Sequence, residues 1–253
     1  MRKFVFCFVF AAMLFLTAAV IAEEKPGTVA KSYFVKIKPG MEQKYEEAFK
    51  HHLNLHREVK DTWAWHTWVI VNGEDLGVYI TRTPGHHWED FDARAEFEKK
   101  DAADFQAGAG QYVQSMSSIF VEYMPEISRW PEGGTVPALA SVHRFHLKYG
   151  RYKKFLYVIK KIHEAIEKEN WSLRYAWLAL VNGGDHPTFT LVIPHEKWAD
   201  MKGPEKPLWE MMEQVYGRQE AERLQKSLGK TIHRETSLIA RFRPDLSYQP
   251  AGQ

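Results

Sequence analysis

Residues 30 to 38 alternate in polarity as a half-buried strand does, with Tyr33, Val35 and Ile37 on one face and Phe34 and Lys36 on the other, and Pro39 with Gly40 ends the run. Met41, Tyr45, Ala48, Phe49 and Leu53 then recur at helical spacing. Residues 62 to 71 are rich in Trp and β-branched side chains, and Asn72, Gly73, Glu74 and Asp75 read as a hairpin turn into a strand over 76 to 82. Pro84 is expected to open a helical region, with Glu89 and Asp90 placed where the helix dipole favours acids. Residues 119 to 124 close the series as a strand. The predicted order is βαββαβ, the ferredoxin-like unit.

This pattern is written twice. Val71, Asn72, Gly73, Glu74, Asp75 recurs as Val181, Asn182, Gly183, Gly184, Asp185, an offset of 110 residues. The same ungapped offset pairs Lys38 with Lys148, Gly40 with Gly150, Tyr45 with Phe155, Pro84 with Pro194 and Trp88 with Trp198. Near the ends the offset becomes 119, pairing Pro125 with Pro244 and Ser128 with Ser247, so the second copy carries nine extra residues in its last helical region. The predicted organisation is an export signal over 1–22, a first repeat over 29–128, a Pro- and Gly-rich linker over 129–137 and a second repeat over 138–247. A single unit has helices on one face of its sheet, and its other face must be covered. Two copies cover each other, which predicts an α+β fold: two tandem ferredoxin-like repeats closing into one pseudo-two-fold α/β barrel.

By the element order, the Lys38 to Gly40 turn into the helix and the repeat itself, residues 29 to 247 resemble the dimeric α/β barrel superfamily. Antibiotic-biosynthesis-type monooxygenases, haem-degrading enzymes, chlorite-dismutase-like proteins and NIPSNAP-like proteins share that arrangement. The resemblance implies the fold, and as one alternative for function a monooxygenase-like enzyme, cofactor-free or haem-dependent. Haem-degrading members carry an Asn on the first strand, a Trp near the end of the third and a His on the following helix. Here the first strand begins Lys31, Ser32, and the third ends Thr81, Arg82 in one copy and Leu191, Val192 in the other. No specific motif supports haem or a metal ion, and no nucleophile motif, phosphate loop or nucleotide fingerprint is present.

Composition narrows the class. Of 253 residues, 45% are hydrophobic and 26% charged, which excludes a disordered or fibrous chain. Arg2 and Lys3, the apolar run from Phe4 to Ile21, and Ala22 before Glu23 read as an export signal, which places the protein in the periplasm or outside the cell; an N-terminal membrane anchor is the alternative. Without Arg2 and Lys3 the chain has 32 basic and 32 acidic residues, a balance that excludes nucleic acid as a partner. Cys7 is the single cysteine and lies in the signal, so the mature protein has no disulfide, thiolate nucleophile or Cys-bound metal. The chain is expected as a monomer or homodimer, with no stable membrane span once the signal is cleaved.

Candidate chemistry falls in two places. With Tyr33, Val35 and Ile37 under the helices, Lys36 would point into the barrel together with Arg144, His146, Glu122 and Arg241, and Trp63, Trp65, Tyr175 and Trp177 would complete an aromatic wall. Such a lumen suits a small hydrophobic or aromatic ligand, and in the enzymatic alternative Lys36, His146 or Arg241 would surround the substrate. The same charges would equally serve to fill the barrel as pairs. His52 and His56 stand at i and i+4 where the second copy has Ile162 and Ile166, and with His66 they are candidate metal ligands; a frayed polar helix edge is the other reading. His86 and His87, with Arg82, are candidates for an anion at a helix start, a weaker expectation than a solvated end. Residues 101 to 110 would form a lid or a helix interruption.

Overall fold

The computed structural model describes residues 27–131 and 136–250. The expected export signal and the centre of the linker lie outside the described residues. The first half runs β1 (Val29–Ile37), α1 (Glu42–Glu58), β2 (His66–Ile70), β3 (Tyr79–His86), α2 (Trp88–Ala93), α3 (Ala95–Ala107) and β4 (Val113–Tyr123). The second runs β5 (Leu139–Leu147), α4 (Tyr152–Lys168), β6 (Ala176–Asn182), β7 (Thr188–His195), α5 (Leu208–Tyr216), α6 (Arg218–Thr231) and β8 (Ile232–Phe242). β1 and β5, like α1 and α4, begin and end 110 residues apart, and β4 and β8 begin and end 119 apart. The extra residues of the second copy fall between β7 and β8.

The strands form one closed antiparallel ring in the order β1-β3-β2-β8-β5-β7-β6-β4. Each half would have two open edges, β2 and β4 in the first, β6 and β8 in the second. Pairing of β4 with β6 and of β2 with β8 joins all four, so no strand edge is left to recruit another chain. The helices cover the outside. Val35, Tyr45, Phe49, Leu53, Trp63, Trp65 and Tyr79 form the helix-side core of the first half. Phe155, Val158, Ile159, Ile166, Trp177, Phe189, Met211, Met212 and Leu224 form that of the second. Among the described residues no helix is long and apolar enough to cross a membrane.

Three boundaries differ from those expected. Residues 62–65 precede β2 as an irregular segment, because the Asp61 carboxylate takes the Trp63 N–H at 3.1 Å and Trp65 pairs with Tyr248 in an isolated bridge. β3 continues through Pro84 to His86, and the helix starts only at Trp88. Gly85, at φ +86°, makes a bulge at which the ladder needs no N–H from Pro84, and the register against β1 shifts there. The bulge sets His86 opposite Val29 as His195 is set opposite Leu139, so His86 matches His195 rather than Glu196. Residues 101 to 107 belong to α3, which stops at Gly108, so this segment is a helix end rather than a lid.

Candidate functional site

Two cavities flank the first-half sheet, one on each face. The first is the barrel lumen, about 400 Å³. Alternation sends Ala30, Ser32 and Phe34 of β1 inward, with His66 and Trp68 of β2, Ile80 and Arg82 of β3, and Ile119, Val121 and Tyr123 of β4. The second half adds Ala140, Val142 and Arg144 of β5, Ala176 and Leu178 of β6, Thr190 and Val192 of β7 and Ala240 of β8. The wall is mostly apolar, and its polar groups are mainly donors. The half-buried Arg82 guanidinium has neither a hydrogen-bond nor an ion-pair partner among the described residues, and burial lowers its pKa to about 10. Arg144 lies 4.9 Å over the Phe34 ring, and burial lowers its pKa as well. The Trp68 indole N–H is buried without an acceptor among the described residues. His66 Nε2 lies 2.9 Å from Gln249 Oε1, and burial pulls its pKa below the ordinary value. A cavity of this kind accepts a ligand with an apolar body and an oxygen or anionic acceptor.

Of the lumen residues expected from the sequence, Arg144 lines the cavity. Lys36 is exposed at the end of β1, and His146, two residues beyond Arg144, lies between Thr188 Oγ1 at 3.1 Å and Arg234 at 3.3 Å. Glu122 and Arg241 are exposed on the opposite side of their strands: Glu122 accepts from Thr28 Oγ1 at 3.2 Å, and Arg241 lies 5.8 Å over Trp198. Trp63, Trp65, Tyr175 and Trp177 are buried under the helices, away from the lumen. The rings of Trp63, Trp65 and Tyr79 fill the space between sheet and helices in the first half, and those of Phe155, Trp177 and Phe189 fill it in the second. The lumen narrows to Ala30, Ala140, Ala176 and Ala240. Arg82 and Trp68 were missed for the lumen. A signal existed, because their counterparts at the 110-residue offset are Val192 and Leu178.

The second cavity, about 290 Å³, lies between α1, α3 and the outer face of the first-half sheet. α1 is continuous to Glu58, and His52 and His56 are 6% and 2% exposed, so they form part of its buried face rather than a frayed polar edge. His66 is in the other cavity. In its place α3 supplies Asp101, whose Oδ1 is 3.3 Å from His52 Nε2 and 3.1 Å from His56 Nε2. On the far side of each ring, His52 Nδ1 is 2.7 Å from Asp104 and His56 Nδ1 is 2.7 Å from Asp61. Burial alone would lower the pKa of His56, but the Asp101 and Asp61 carboxylates beside it outweigh that and hold it above the ordinary value.

Asp61 anchors this arrangement. Arg94 clamps its carboxylate with two bonds of 2.6 Å, Trp65 Nε1 donates at 3.1 Å, and the Arg94 guanidinium lies 4.3 Å over Trp63. Burial would raise the pKa of Asp61, but His56, Arg94 and the Trp63 N–H hold it well below the usual carboxylate range. The second half has no such polar arrangement: Ile162 and Ile166 replace the histidines and pack with Met211 and Met212.

The His86 and His87 pair forms no open anion site. His86 stacks on Trp63 with ring centres 3.7 Å apart, sits 2.6 Å from Thr83 Oγ1, and is pushed down to a pKa of about 4 by burial. His87 precedes the six-residue α2, where its N–H donates to Asp90 at 2.7 Å. Neither helix-side space fits haem. That of the second half is filled by Phe155, Ile159, Met211 and Met212, and that of the first, about 290 Å³, is smaller than a porphyrin.

No family model and none of the curated proteins matches the sequence. Solved structures do match. A provisionally assigned monooxygenase from Lactobacillus acidophilus NCFM superposes with a TM-score of 0.54 at 6% identity, over 88% of this chain and 97% of that one. An anthrone oxidase-like protein gives 0.52 at 11% identity, over 91% and 95%. A mutant chlorite dismutase from Candidatus Nitrospira defluvii, in complex with cyanide, gives 0.52 at 8% identity, over 87% and 92%. At these identities the likeness is one of fold: two ferredoxin-like halves, here in a single polypeptide, whose strands close one antiparallel ring.

Proposed function

We propose that this is an exported binding protein whose barrel holds one small hydrophobic or aromatic molecule bearing a carboxylate or carbonyl group. The observation that carries this reading is the unpaired Arg82 guanidinium in a cavity walled mostly by apolar side chains. An isolated cation in such surroundings costs stability, and a ligand that supplies its missing acceptor gives the cost a use. Trp68 and Arg144 add donors on the same cavity, and Phe34 and Trp68 offer faces for a flat ring. The export signal over 1–22 would place this binding in the periplasm or outside the cell. The test compares 2-naphthoate with uncharged 2-naphthalenemethanol by quenching of tryptophan fluorescence. Binding of the acid at least tenfold tighter is expected, and equal affinity or no binding of either would overturn the reading.

A second reading, a monooxygenase-like enzyme, is favoured by the helix-side pocket, whose histidines have no counterpart in the second half. The name of one structural neighbour, an anthrone oxidase-like protein, supplies a substrate to try. Oxygen uptake with anthrone at neutral pH should exceed both the protein-free rate and that of the His52→Ile, His56→Ile protein. Uptake equal to either control would remove this reading.

A further inference from the structure

We propose that His52, His56 and Asp101 bind one divalent transition-metal ion in the helix-side pocket of the first half. The claim is independent of the lumen. The three ligand atoms, two Nε2 and one carboxylate oxygen, lie within 4.8 Å of one another. The two imidazole–carboxylate edges are 3.1 and 3.3 Å. Ligand atoms about 2.0 to 2.2 Å from such an ion stand about 3.0 to 3.5 Å apart in octahedral or tetrahedral geometry, and both imidazole–carboxylate edges have that spacing.

Three further observations point to an ion rather than to a closed ionic cluster. Asp101 Oδ1 is buried and makes no hydrogen bond, although both Nε2 atoms are close: their N–H directions miss it. Imidazoles that avoid a neighbouring carboxylate are aimed at another point near it. Each ring is also fixed from behind by a carboxylate, Asp104 on His52 and Asp61 on His56, with both Nδ1 contacts at 2.7 Å. That arrangement sets the tautomer with Nδ1–H and turns the Nε2 lone pair inward, as on metal-binding histidines. Finally, the group opens onto a cavity of about 290 Å³, which leaves coordination positions for water or a small molecule. Two imidazoles and one carboxylate with open positions suit zinc or a redox-active ion such as iron(II).

The experiment uses untagged full-length protein stripped with EDTA. Cobalt(II) titration is followed by visible absorption, and zinc content is measured by elemental analysis after gel filtration. One equivalent of either ion is expected, with ligand-field bands from cobalt. The His52→Ile, His56→Ile protein carries the residues of the second copy at these positions, so its fold is checked by its melting temperature; it should bind less than about a tenth of an equivalent. Asp101→Asn should lose the ion as well and serves if the double variant misfolds. Asp104→Asn removes only a support behind His52 and should weaken binding by about 10- to 100-fold. Failure of the unaltered protein to take up either ion at about 100 μM, or uptake equal in the folded variants, would overturn the proposal and leave an imidazolium–carboxylate cluster in its place.

Discussion

Replacing Arg82 with Met should make the protein more stable and a worse binder. The charged guanidinium is held at a pKa of about 10 against an ordinary 12.5, and burial is the sole cause. Each unit is worth about 1.4 kcal/mol, so the charged form is disfavoured by roughly 3 kcal/mol, and somewhat less once its contact with the cavity is allowed for. Methionine fills a similar length without a charge, and in a chain of this size each kcal/mol moves the melting temperature by about 2 to 4 °C. A rise of about 3 to 8 °C is expected for Arg82→Met without ligand. Its affinity for 2-naphthoate should fall by about 10- to 150-fold, the range for a charged hydrogen bond of roughly 1.5 to 3 kcal/mol, with 2-naphthalenemethanol little affected. The control is Arg94→Met, which removes a paired cation and should lower the melting temperature. If Arg82→Met melts lower than the parent and binds the acid equally well, Arg82 is a structural group and the reasoning is wrong.

Three other outcomes follow from the same structure. Asp61→Asn should cost about 3 to 5 kcal/mol in urea unfolding, because it strands the buried Arg94 and releases His56, and an effect below about 1 kcal/mol would show that the contacts around Asp61 carry little. His86 has its pKa lowered to about 4 in the folded state, so the unfolded chain takes up the proton first as pH falls. Its contribution is complete above about pH 6.5 and is lost between there and about pH 4, up to roughly 3 kcal/mol, and His86→Phe should flatten that part of the stability profile. Deleting residues 131–253 should expose Phe34, Trp68, Ile80, Ile119 and Val121 and drive the first half to self-associate in light scattering, whereas a folded monomer would contradict the dependence of each sheet on its partner.

The fold was legible because duplication turns a single sequence into its own alignment. A register held from Lys38 to Trp88 fixes element order twice, and closure follows from a sheet face that one copy cannot cover. The direction of β1 was also readable, since Tyr33, Val35 and Ile37 alternate cleanly with Ser32 and Phe34. The direction of β2 was not. Trp63 and Trp65 stand two residues apart and imitate a strand face, but Asp61 holds that segment irregular and the regular ladder begins only at His66. Trp63 and Trp65 share the parity of Val69, which faces the helices, while His66 and Trp68 face the lumen, and alternation alone does not say which of two aromatic faces turns inward. Asp101 was illegible for a different reason. It lies 45 residues beyond His56 on another helix, and periodicity within α3 says nothing of which α1 side chain it meets.

Placing the halves side by side assigns the lumen a direction. In the eight-strand ring β3 stands opposite β7 and β2 opposite β6. Arg82 therefore faces Val192, Trp68 faces Leu178 and His66 faces Ala176 across the cavity, each pair being a single position in the two copies. The first-half wall offers charged and aromatic donors, and the facing wall is alkyl apart from the Thr190 hydroxyl. A ligand with one acceptor end would be oriented by that difference, its oxygen toward β2 and β3 and its apolar body against β6 and β7. Arg144 and Thr190 are exchanges in the opposite sense, replacing the Phe34 and Ile80 of the first copy, and the Arg144 guanidinium lies 4.9 Å over the Phe34 ring. Outside the barrel the division repeats, with the polar pocket under α1 and a filled core under α4. The second half thus supplies a close-packed helix-side core, and the buried side-chain atoms without a partner among the described residues, on Tyr45, Trp68 and Asp101, all lie in the first.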